Sequence, residues 1–184
     1  SDKPNKELYK SDISPRENIE LIKEKSLTFI ENFDNPNEKN LIFTGSTGLG
    51  KTFMINCIAN EALKLGKTVI YQTAPIMLDA IIDEKFGNSD ENINLQENIL
   101  TVDLLIIDDL GAERVNDFKI TELFTIINSR LLNPKLKTII SSNLTIEELF
   151  KTYTNRIGSR LVGNYKFLRF FGEDLRFKKA KKEA

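Results

Sequence analysis

Two kinds of apolar pattern alternate along the chain. Short runs in which polar and apolar residues do not alternate predict strands of a parallel sheet that is buried on both faces. Longer segments with apolar residues three and four positions apart predict helices between those strands. The predicted strands are residues 41–44, 68–73, 104–107, 138–141 and 165–171. The predicted class is therefore α/β, with helices that cover a parallel sheet.

The predicted helices have recognisable start signals. Ser14 with Glu17, and Thr145 with Glu148, have the spacing of capping boxes, in which a hydroxyl and a carboxylate satisfy the first backbone N–H groups. The predicted helices cover residues 15–33, 51–65, 75–86, 117–132 and 153–162, with a short helix after Thr145 and a polar loop at residues 87–94.

The composition excludes several kinds of chemistry. The 184 residues suit one domain, and no apolar run approaches the roughly 20 residues of a membrane span. There is no histidine, which excludes Ser-His-Asp and Cys-His nucleophiles and His-ligated zinc. The one cysteine, Cys57, cannot form an intramolecular disulfide, and its apolar neighbours predict a buried position. We therefore expect a protein of the reducing cytoplasm that has no membrane partner.

A glycine-rich segment comes directly after the first strand and opens the second helix. Residues 45–52, Gly-Ser-Thr-Gly-Leu-Gly-Lys-Thr, match the pattern G-x-x-x-x-G-K-[ST] throughout. Such a loop curls its backbone N–H groups around phosphate oxygens at a helix N-terminus. Lys51 would reach the β- and γ-phosphates of a nucleotide, and the Thr52 hydroxyl would ligate Mg²⁺. The residues expected to bind the nucleotide are Gly45, Ser46, Thr47, Gly48, Leu49, Gly50, Lys51, Thr52 and Phe53.

Two carboxylates come directly after the apolar run at residues 104–107. Asp108 and Asp109 would lie at the carboxyl end of a buried strand, where open α/β sheets bind their ligands. In a chain with a phosphate-binding loop, this pattern favours a Walker B element over a simple turn. Asp108 would hold Mg²⁺ through water, and Asp109 would orient the attacking water or accept its proton.

Three further polar residues have two interpretations each. Asn143 would lie beside the γ-phosphate if the strand before it neighbours the strand before the glycine-rich loop; otherwise it is a turn residue before Thr145. Arg156 and Arg160 are four positions apart, on one face of a helix. They are either functional cations or part of an ordinary solvated or salt-bridged face.

With these motifs in order, residues 12–177 resemble the AAA+ ATPases, and within them the bacterial replicative helicase loaders of the DnaC/DnaI type and the related IstB transposition helpers. The glycine-rich loop alone indicates only a nucleotide-binding protein. The narrower resemblance depends on residues 107–113, Ile-Asp-Asp-Leu-Gly-Ala-Glu, and on residues 156–161, Arg-Ile-Gly-Ser-Arg-Leu. Residues 14–18, Ser-Pro-Arg-Glu-Asn, and the pair Ser142-Asn143 add to it.

The resemblance implies a P-loop NTPase three-layer sandwich whose five-stranded parallel sheet has the order 5-1-4-3-2, without a helical lid domain. It also implies that Asn143 is the sensor 1 residue, which positions water and the γ-phosphate. Arg160 would be an arginine finger that completes a neighbouring subunit's site, with Arg156 as the competing candidate. The catalytic residues would then be Lys51, Asp109, Asn143 and Arg160, with ATP and Mg²⁺ as cofactors.

The function that the resemblance implies is that of a DNA replication ATPase. Such a protein assembles through Arg160, binds single-stranded DNA and helps to load the replicative helicase. One alternative is an IstB-like ATPase that helps a transposase. Another is a nucleotide-gated scaffold with negligible hydrolysis, against which the presence of both Asp109 and Asn143 argues.

The chain is expected to divide into three segments. Residues 1–12 have the composition of a linker remnant, residues 13–177 are the ATPase domain, and residues 178–184 are a basic tail. The resemblance implies that a helicase-binding domain precedes the linker. Arg176 is a sensor 2 candidate, and only 12 residues follow Gly172, which leaves no room for a lid.

Overall fold

The computed structural model describes residues 13–87 and 94–172, and a five-stranded parallel sheet lies at its centre. The strands are β1 (Asn40–Thr44), β2 (Val69–Thr73), β3 (Leu104–Leu110), β4 (Lys137–Ser142) and β5 (Tyr165–Arg169). The helices are α1 (Pro15–Glu31), α2 (Lys51–Lys64), α3 (Ala74–Lys85), α4 (Leu95–Thr101), α5 (Asp117–Leu131) and α6 (Ile146–Asn164). All five predicted strands are present.

The strands lie in the order β2-β3-β4-β1-β5, and every neighbouring pair is parallel. Read from the other edge, this is the order 5-1-4-3-2, so the expected AAA+ topology is confirmed. Because all the strands point the same way, their carboxyl ends meet at one edge of the sheet. At that edge the ends of β1, β3 and β4 bring together the glycine-rich loop, the paired carboxylates and Asn143.

Helices cover both faces of the sheet, which makes three layers. On one face, α1 and α2 pack on strand residues such as Ile106 and Ile139. On the other face, α3, α4, α5 and α6 pack on the alternate strand residues, which include Ile107 and Ile140. These four isoleucines are completely buried, and each contributes about 1.5–3 kcal/mol by leaving water. The predicted three-layer sandwich is confirmed.

The helix ends agree with the start signals in the sequence. Glu17 N–H donates to the Ser14 hydroxyl at 3.2 Å, and Ser14 N–H donates to the Glu17 carboxylate at 2.7 Å. The same reciprocal pair joins Thr145 and Glu148 at the start of α6. Both capping boxes are therefore confirmed.

Helix α4 is present although no pattern in the sequence indicated it. It begins where the Asn94 side chain accepts a hydrogen bond from Glu97 N–H, and Ile99 is its fully buried residue. A helix of 7 residues with so few core positions has too little periodicity to be recognised.

Two other details differ from the prediction. The two helices expected between residues 145 and 162 form a single element, α6, interrupted only at Thr154, whose φ is 76° and ψ 155°. The prediction of a buried Cys57 is wrong, because the side chain is exposed. The buried face of α2 carries Ile55, Ile58 and Ala62 at helical spacing, and Cys57 lies outside that stripe.

Several expectations fall outside the described residues. These are the linker at 1–12, most of the polar loop, the Arg176 candidate and the basic tail at 178–184. Within residues 13–87 and 94–172, none of the helices has the length and apolar character that a membrane crossing requires.

Candidate nucleotide-binding site

The glycine-rich loop starts directly after β1, next to the residue that follows β5. Gly45 follows β1 with φ of 133°, a conformation that side-chain-bearing residues rarely adopt. A Cβ atom at this position would lie 2.2 Å from the Phe170 carbonyl oxygen. Phe170 N–H in turn donates to Thr44 O at 2.7 Å, which holds the two backbones together. Only glycine therefore fits at the start of the loop.

Two more glycines turn the loop into the start of α2. Gly48 has φ of 82°, and Gly50 has φ of 95° and is the N-cap of the helix. Gly50 has no side chain to accept hydrogen bonds from the first turn of α2, and no side chain among the described residues caps the helix. The positive end of the helix therefore faces the loop, an arrangement that favours a bound anion such as phosphate.

Lys51 joins the loop to the neighbouring strand. Its Nζ donates to Gly45 O at 2.6 Å, to Ser46 O at 2.9 Å and to the Asn143 side-chain oxygen at 2.8 Å. Asn143 reaches it because β4, which ends one residue earlier, pairs directly with β1. The sequence placed Asn143 beside the γ-phosphate on condition that its strand neighbours the strand before the loop. The pairing of β4 with β1 satisfies that condition.

The paired carboxylates lie next to the first turn of α2. The Thr52 hydroxyl donates to Asp108 Oδ2 at 3.3 Å, so the two predicted metal ligands are in contact. Asp108 is only 3% exposed, whereas the Asp109 carboxylate is partly exposed and makes no hydrogen bond or ion pair within the described ranges. The two neighbouring acids thus have different surroundings.

A bulge in β3 separates the two acids. The register between β3 and β4 shifts between Ile107 and Leu110, and Asp109 has φ of 56°. A bulge re-aims the side chains around it, and Asp tolerates the left-handed conformation better than most residues. Asp109 therefore leaves the ladder at the edge of the site.

The residues at this edge suit Mg²⁺ with a triphosphate. Mg²⁺ prefers oxygen ligands, and proteins usually hold it through one or two carboxylates or hydroxyls plus the substrate's phosphates. Thr52 and Asp108 supply that kind of donor set beside the phosphate cradle. Within residues 13–87 and 94–172 no cluster of three or more acidic or cysteine residues forms a metal site independent of a ligand.

An apolar cavity of about 590 Å³ adjoins the loop. Leu49 and Phe53, both expected to bind the nucleotide, line it together with Pro15 and Arg16 from the first turn of α1. Phe53 is 72% exposed, although it is large and apolar. The cavity has the volume and the lining of a small-molecule site.

The two arginines are not brought to this site. Arg156 and Arg160 are exposed on α6, which packs on the opposite face of the sheet from α2. Neither guanidinium forms a hydrogen bond or ion pair with any residue that the structure describes. Arg156 lines an open groove with Phe124 of α5 and with Thr154.

Tyr71 and Ser141 belong to none of the sequence motifs, yet the hydroxyls of both residues donate to Asp108. The pKa of the Tyr71 hydroxyl is raised, mainly by burial and secondly by the hydrogen bond to Asp108. Both residues belong to strands that flank β3, so only the strand order could have indicated them.

A further contact links the end of β3 to α6. Buried Glu113 accepts a hydrogen bond from Gly111 N–H at 3.0 Å and another from the Tyr153 hydroxyl. The pKa of Tyr153 is raised, mainly by burial and secondly by its hydrogen bond to the Glu113 carboxylate. Glu113 was part of the segment that carried the family resemblance, but its spacing gave no indication of a partner 40 residues away.

The strand order, the glycine-rich loop and the carboxylates beside it define a P-loop NTPase fold of the AAA+ class. A family model described as IstB-like ATP binding protein matches residues 8–184. The chain belongs to this family of ATP-binding proteins.

Curated relatives support the same placement. The replicative helicase loader DnaC of Escherichia coli K12 is 28% identical over 160 residues, which are 86% of this chain and 64% of that protein. The insertion sequence ATP-binding protein y4pL of Sinorhizobium fredii is 31% identical over 142 residues, 74% of this chain and 56% of that protein. The chain thus spans less than two thirds of the length of these relatives.

Solved structures share the fold. A DnaA structure from Aquifex aeolicus with bound AMPPCP superposes with a TM-score of 0.73 at 27% identity, covering 99% of this chain and 55% of that one. A structure of the DnaC helicase loader superposes with a TM-score of 0.71 at 22% identity, covering 91% and 97%. A third structure, of DnaA with AMPPCP and single-stranded DNA, has a TM-score of 0.71 at 27% identity, covering 89% and 50%.

Proposed function

We propose that the protein binds ATP with Mg²⁺ and hydrolyses it. The observation that supports this most directly is that one small region contains the phosphate cradle, Lys51 bonded to Asn143, and Thr52 in contact with Asp108. The DnaA neighbour with bound AMPPCP is consistent with binding of a nucleoside triphosphate by this fold.

Each residue has a distinct role in the proposed site. Backbone N–H groups of residues 45–50 and the start of α2 hold the phosphates, and Lys51 neutralises their charge. Thr52 and Asp108 would hold Mg²⁺, which would supply charge stabilisation at the phosphates when bound. Asp109, which is partly exposed, orients the attacking water or accepts its proton, and Asn143 positions the γ-phosphate.

The nucleobase is proposed to occupy the apolar cavity. Leu49 and Phe53 would contact its faces, and Pro15 and Arg16 would close the side next to α1. An aromatic residue with this much exposed surface next to a phosphate cradle gains by covering a planar ring.

Arg160 is proposed as the arginine finger for a neighbouring subunit, with Arg156 as the alternative. Both side chains are exposed and, among the described residues, unpaired, as a cation reserved for another subunit should be. A finger stabilises charge that develops in the transition state, so its loss should affect hydrolysis and leave nucleotide binding intact.

The proposed role is that of a helicase loader. The protein would assemble with copies of itself, engage single-stranded DNA and help to place the replicative helicase, with ATP hydrolysis releasing the assembly. The relation to DnaC supports this role, and the DnaA neighbour with single-stranded DNA supports the DNA contact. The family model and the insertion sequence relative favour the second candidate, an ATPase that helps a transposase.

Steady-state ATP hydrolysis at several protein concentrations, with and without single-stranded DNA, tests the enzymatic proposal. The rate per subunit should rise with concentration, because each site needs a neighbour's finger. Arg160→Ala should bind ATP normally and lose about 1000-fold or more in turnover. Lys51→Ala should lose nucleotide binding because it removes the cation of the cradle.

A mixing experiment separates a finger from a merely structural arginine. Lys51→Ala subunits keep their finger and Arg160→Ala subunits keep their cradle, so a mixture of the two inactive variants should recover activity. Arg156→Ala is the matched control on the same helix face. Loss of turnover by Arg156→Ala alone, restored by Lys51→Ala subunits, together with wild-type turnover of Arg160→Ala, would transfer the role to Arg156. Turnover that is unchanged in both arginine variants would disprove a finger on α6.

A further inference from the structure

The Asp108 carboxylate is surrounded by hydroxyl groups from three elements. The Tyr71 hydroxyl of β2 and the Thr52 hydroxyl of α2 both donate to Oδ2. The Ser141 hydroxyl of β4 donates to Oδ1, which also accepts a hydrogen bond from Asp109 N–H at 3.1 Å. Each carboxylate oxygen therefore has two donors.

This arrangement uses the whole accepting capacity of the group. An ionised carboxylate has about four lone-pair sites, and four donors fill them. Asp108 is almost completely buried, so water does not compete for these sites. The longest of the four contacts is the 3.3 Å bond from Thr52, whose hydroxyl is also a proposed ligand of Mg²⁺. Thr52 is therefore the donor that can turn to the metal, while the other three stay in place.

We propose that Tyr71 and Ser141 are positioning residues for the metal site, an inference that depends on the proposed binding of ATP with Mg²⁺. They do not contact the metal. They hold the Asp108 carboxylate with Oδ2 towards Thr52, the other proposed ligand of the metal. Groups that orient a metal ligand in this way typically change metal affinity 10- to 100-fold when they are removed.

The register of the sheet explains why these two residues are suited to the task. Tyr71 lies opposite Ile106, which is two residues before Asp108, so the Tyr71 and Asp108 side chains are on the same face of the sheet. Only a long side chain at position 71 spans the distance along the strand to the carboxylate. Its ring packs with the core layer under α1 and α2, and its hydroxyl extends from that layer to the carboxylate. Ser141 also accepts a hydrogen bond from Asp109 N–H at 3.0 Å, which links it to the bulge.

Binding of Mn²⁺ in the presence of AMPPCP, followed by electron paramagnetic resonance, tests this inference. Tyr71→Phe removes only the hydroxyl and keeps the ring, and Ser141→Ala removes the other hydroxyl. Each should weaken Mn²⁺ binding about tenfold. Binding of AMPPCP in the presence of EDTA should stay within about twofold of the wild type, because neither hydroxyl forms a hydrogen bond with residues 45–50 of the phosphate-binding loop.

Tyr165→Phe is the matched control. Its side chain is buried, and it lies at the start of β5, at the opposite end of the sheet from Asp108. This variant should bind Mn²⁺ like the wild type, which separates the specific contact with Asp108 from the loss of a tyrosine hydroxyl elsewhere in the core.

The inference is overturned if Tyr71→Phe and Ser141→Ala both bind Mn²⁺ with wild-type affinity. It is also overturned if they lose metal-free AMPPCP binding to the same degree, because the hydroxyls would then support the fold of the loop rather than the metal. A wild-type protein that binds neither AMPPCP nor Mn²⁺ would remove the proposed function itself, which is a different result.

Discussion

Two glycines of α6 differ in what surrounds them. A Cβ atom at Gly158 would lie 2.5 Å from the Phe150 ring. The absence of a side chain at Gly158 therefore lets the Phe150 ring pack against the helix backbone. A Cβ atom at Gly163 would meet nothing within 4 Å. Gly158 lies between the two candidate finger arginines. Its contact with Phe150 joins the helix segments before and after the Thr154 interruption.

Replacing these glycines should change stability in opposite directions. Gly163→Ala should raise the free energy of unfolding by about 0.5 kcal/mol, because alanine loses less backbone entropy in a helix. Gly158→Ala should lower it by about 1–3 kcal/mol, because the ring must move out of its contact. Urea unfolding of the two variants measures both effects, and an equal stabilisation by both would show that the Phe150 contact has no energetic weight.

At the scale of elements, a single carboxylate joins the starts of β2 and β3. Asp103 accepts hydrogen bonds from Thr68 N–H at 2.8 Å and from the Thr68 hydroxyl at 2.7 Å. Asp103 N–H donates back to the Thr68 hydroxyl at 3.0 Å. The hydrogen bonds from Thr68 lower the pKa of Asp103 below its usual value of 3.8. The strands therefore begin in register through a contact that needs an ionised carboxylate.

This contact should make part of the stability depend on pH. A carboxyl group whose pKa is lower in the folded state stabilises the fold above its unfolded pKa, and the contribution is lost as the pH falls through the folded value. Asp103→Asn should cost about 1 kcal/mol at neutral pH, and the difference from the wild type should shrink as the pH falls below 3.8.

Urea unfolding at neutral and acidic pH measures this dependence. Asp83→Asn is the control, because Asp83 is exposed on α3 and has no hydrogen bond or ion pair within the described ranges. A cost for Asp103→Asn that is the same at every pH would contradict the role of the ionised carboxylate.

The elements were predictable to the extent that their signals are local. The five strands, both capping boxes and the glycine-rich loop could be assigned because each signal lies within a few consecutive residues. Helix α4 was missed because it has few core positions, and Cys57 was placed wrongly because its apolar neighbours do not define which face of α2 is buried. Local apolar content predicts an element better than it predicts the orientation of that element.

At the scale of the whole molecule, ligand binding should be visible as stability. A ligand that binds only the folded state stabilises it by about 2.7 kcal/mol when its concentration is about 100 times its Kd. For a protein of this size, that corresponds to a rise in Tm of about 5–10 °C. Mg²⁺ with AMPPCP should therefore raise the Tm of the wild type, as measured by differential scanning fluorimetry.

Lys51→Ala should show no such rise, because it lacks the cation that contacts the loop and Asn143. Its circular dichroism should match the wild type, so that the missing shift reports lost binding. Equal shifts in the two proteins would mean that the nucleotide stabilises the fold from a different site.

The tertiary structure also decides how cations are buried at the amino end of the sheet. Arg130 is 2% exposed, and its guanidinium donates to the backbone oxygens of Ile99, Val102 and Lys137. Burial lowers the pKa of Arg130 to about 10. In the sequence this arginine is one polar residue near the end of an amphipathic helix, and nothing near it indicates burial.

The amino-acid sequence by itself determined the class of the fold and the location of the phosphate-binding loop, because periodicity and a contiguous loop motif are written in neighbouring residues. The tertiary structure alone decided which groups surround Asp108, how Glu113 meets Tyr153, and that the arginines of α6 lie exposed on the face opposite α2. Those facts depend on which strands are neighbours. Strand order results from packing the whole chain around one sheet, so no short stretch of sequence contains it.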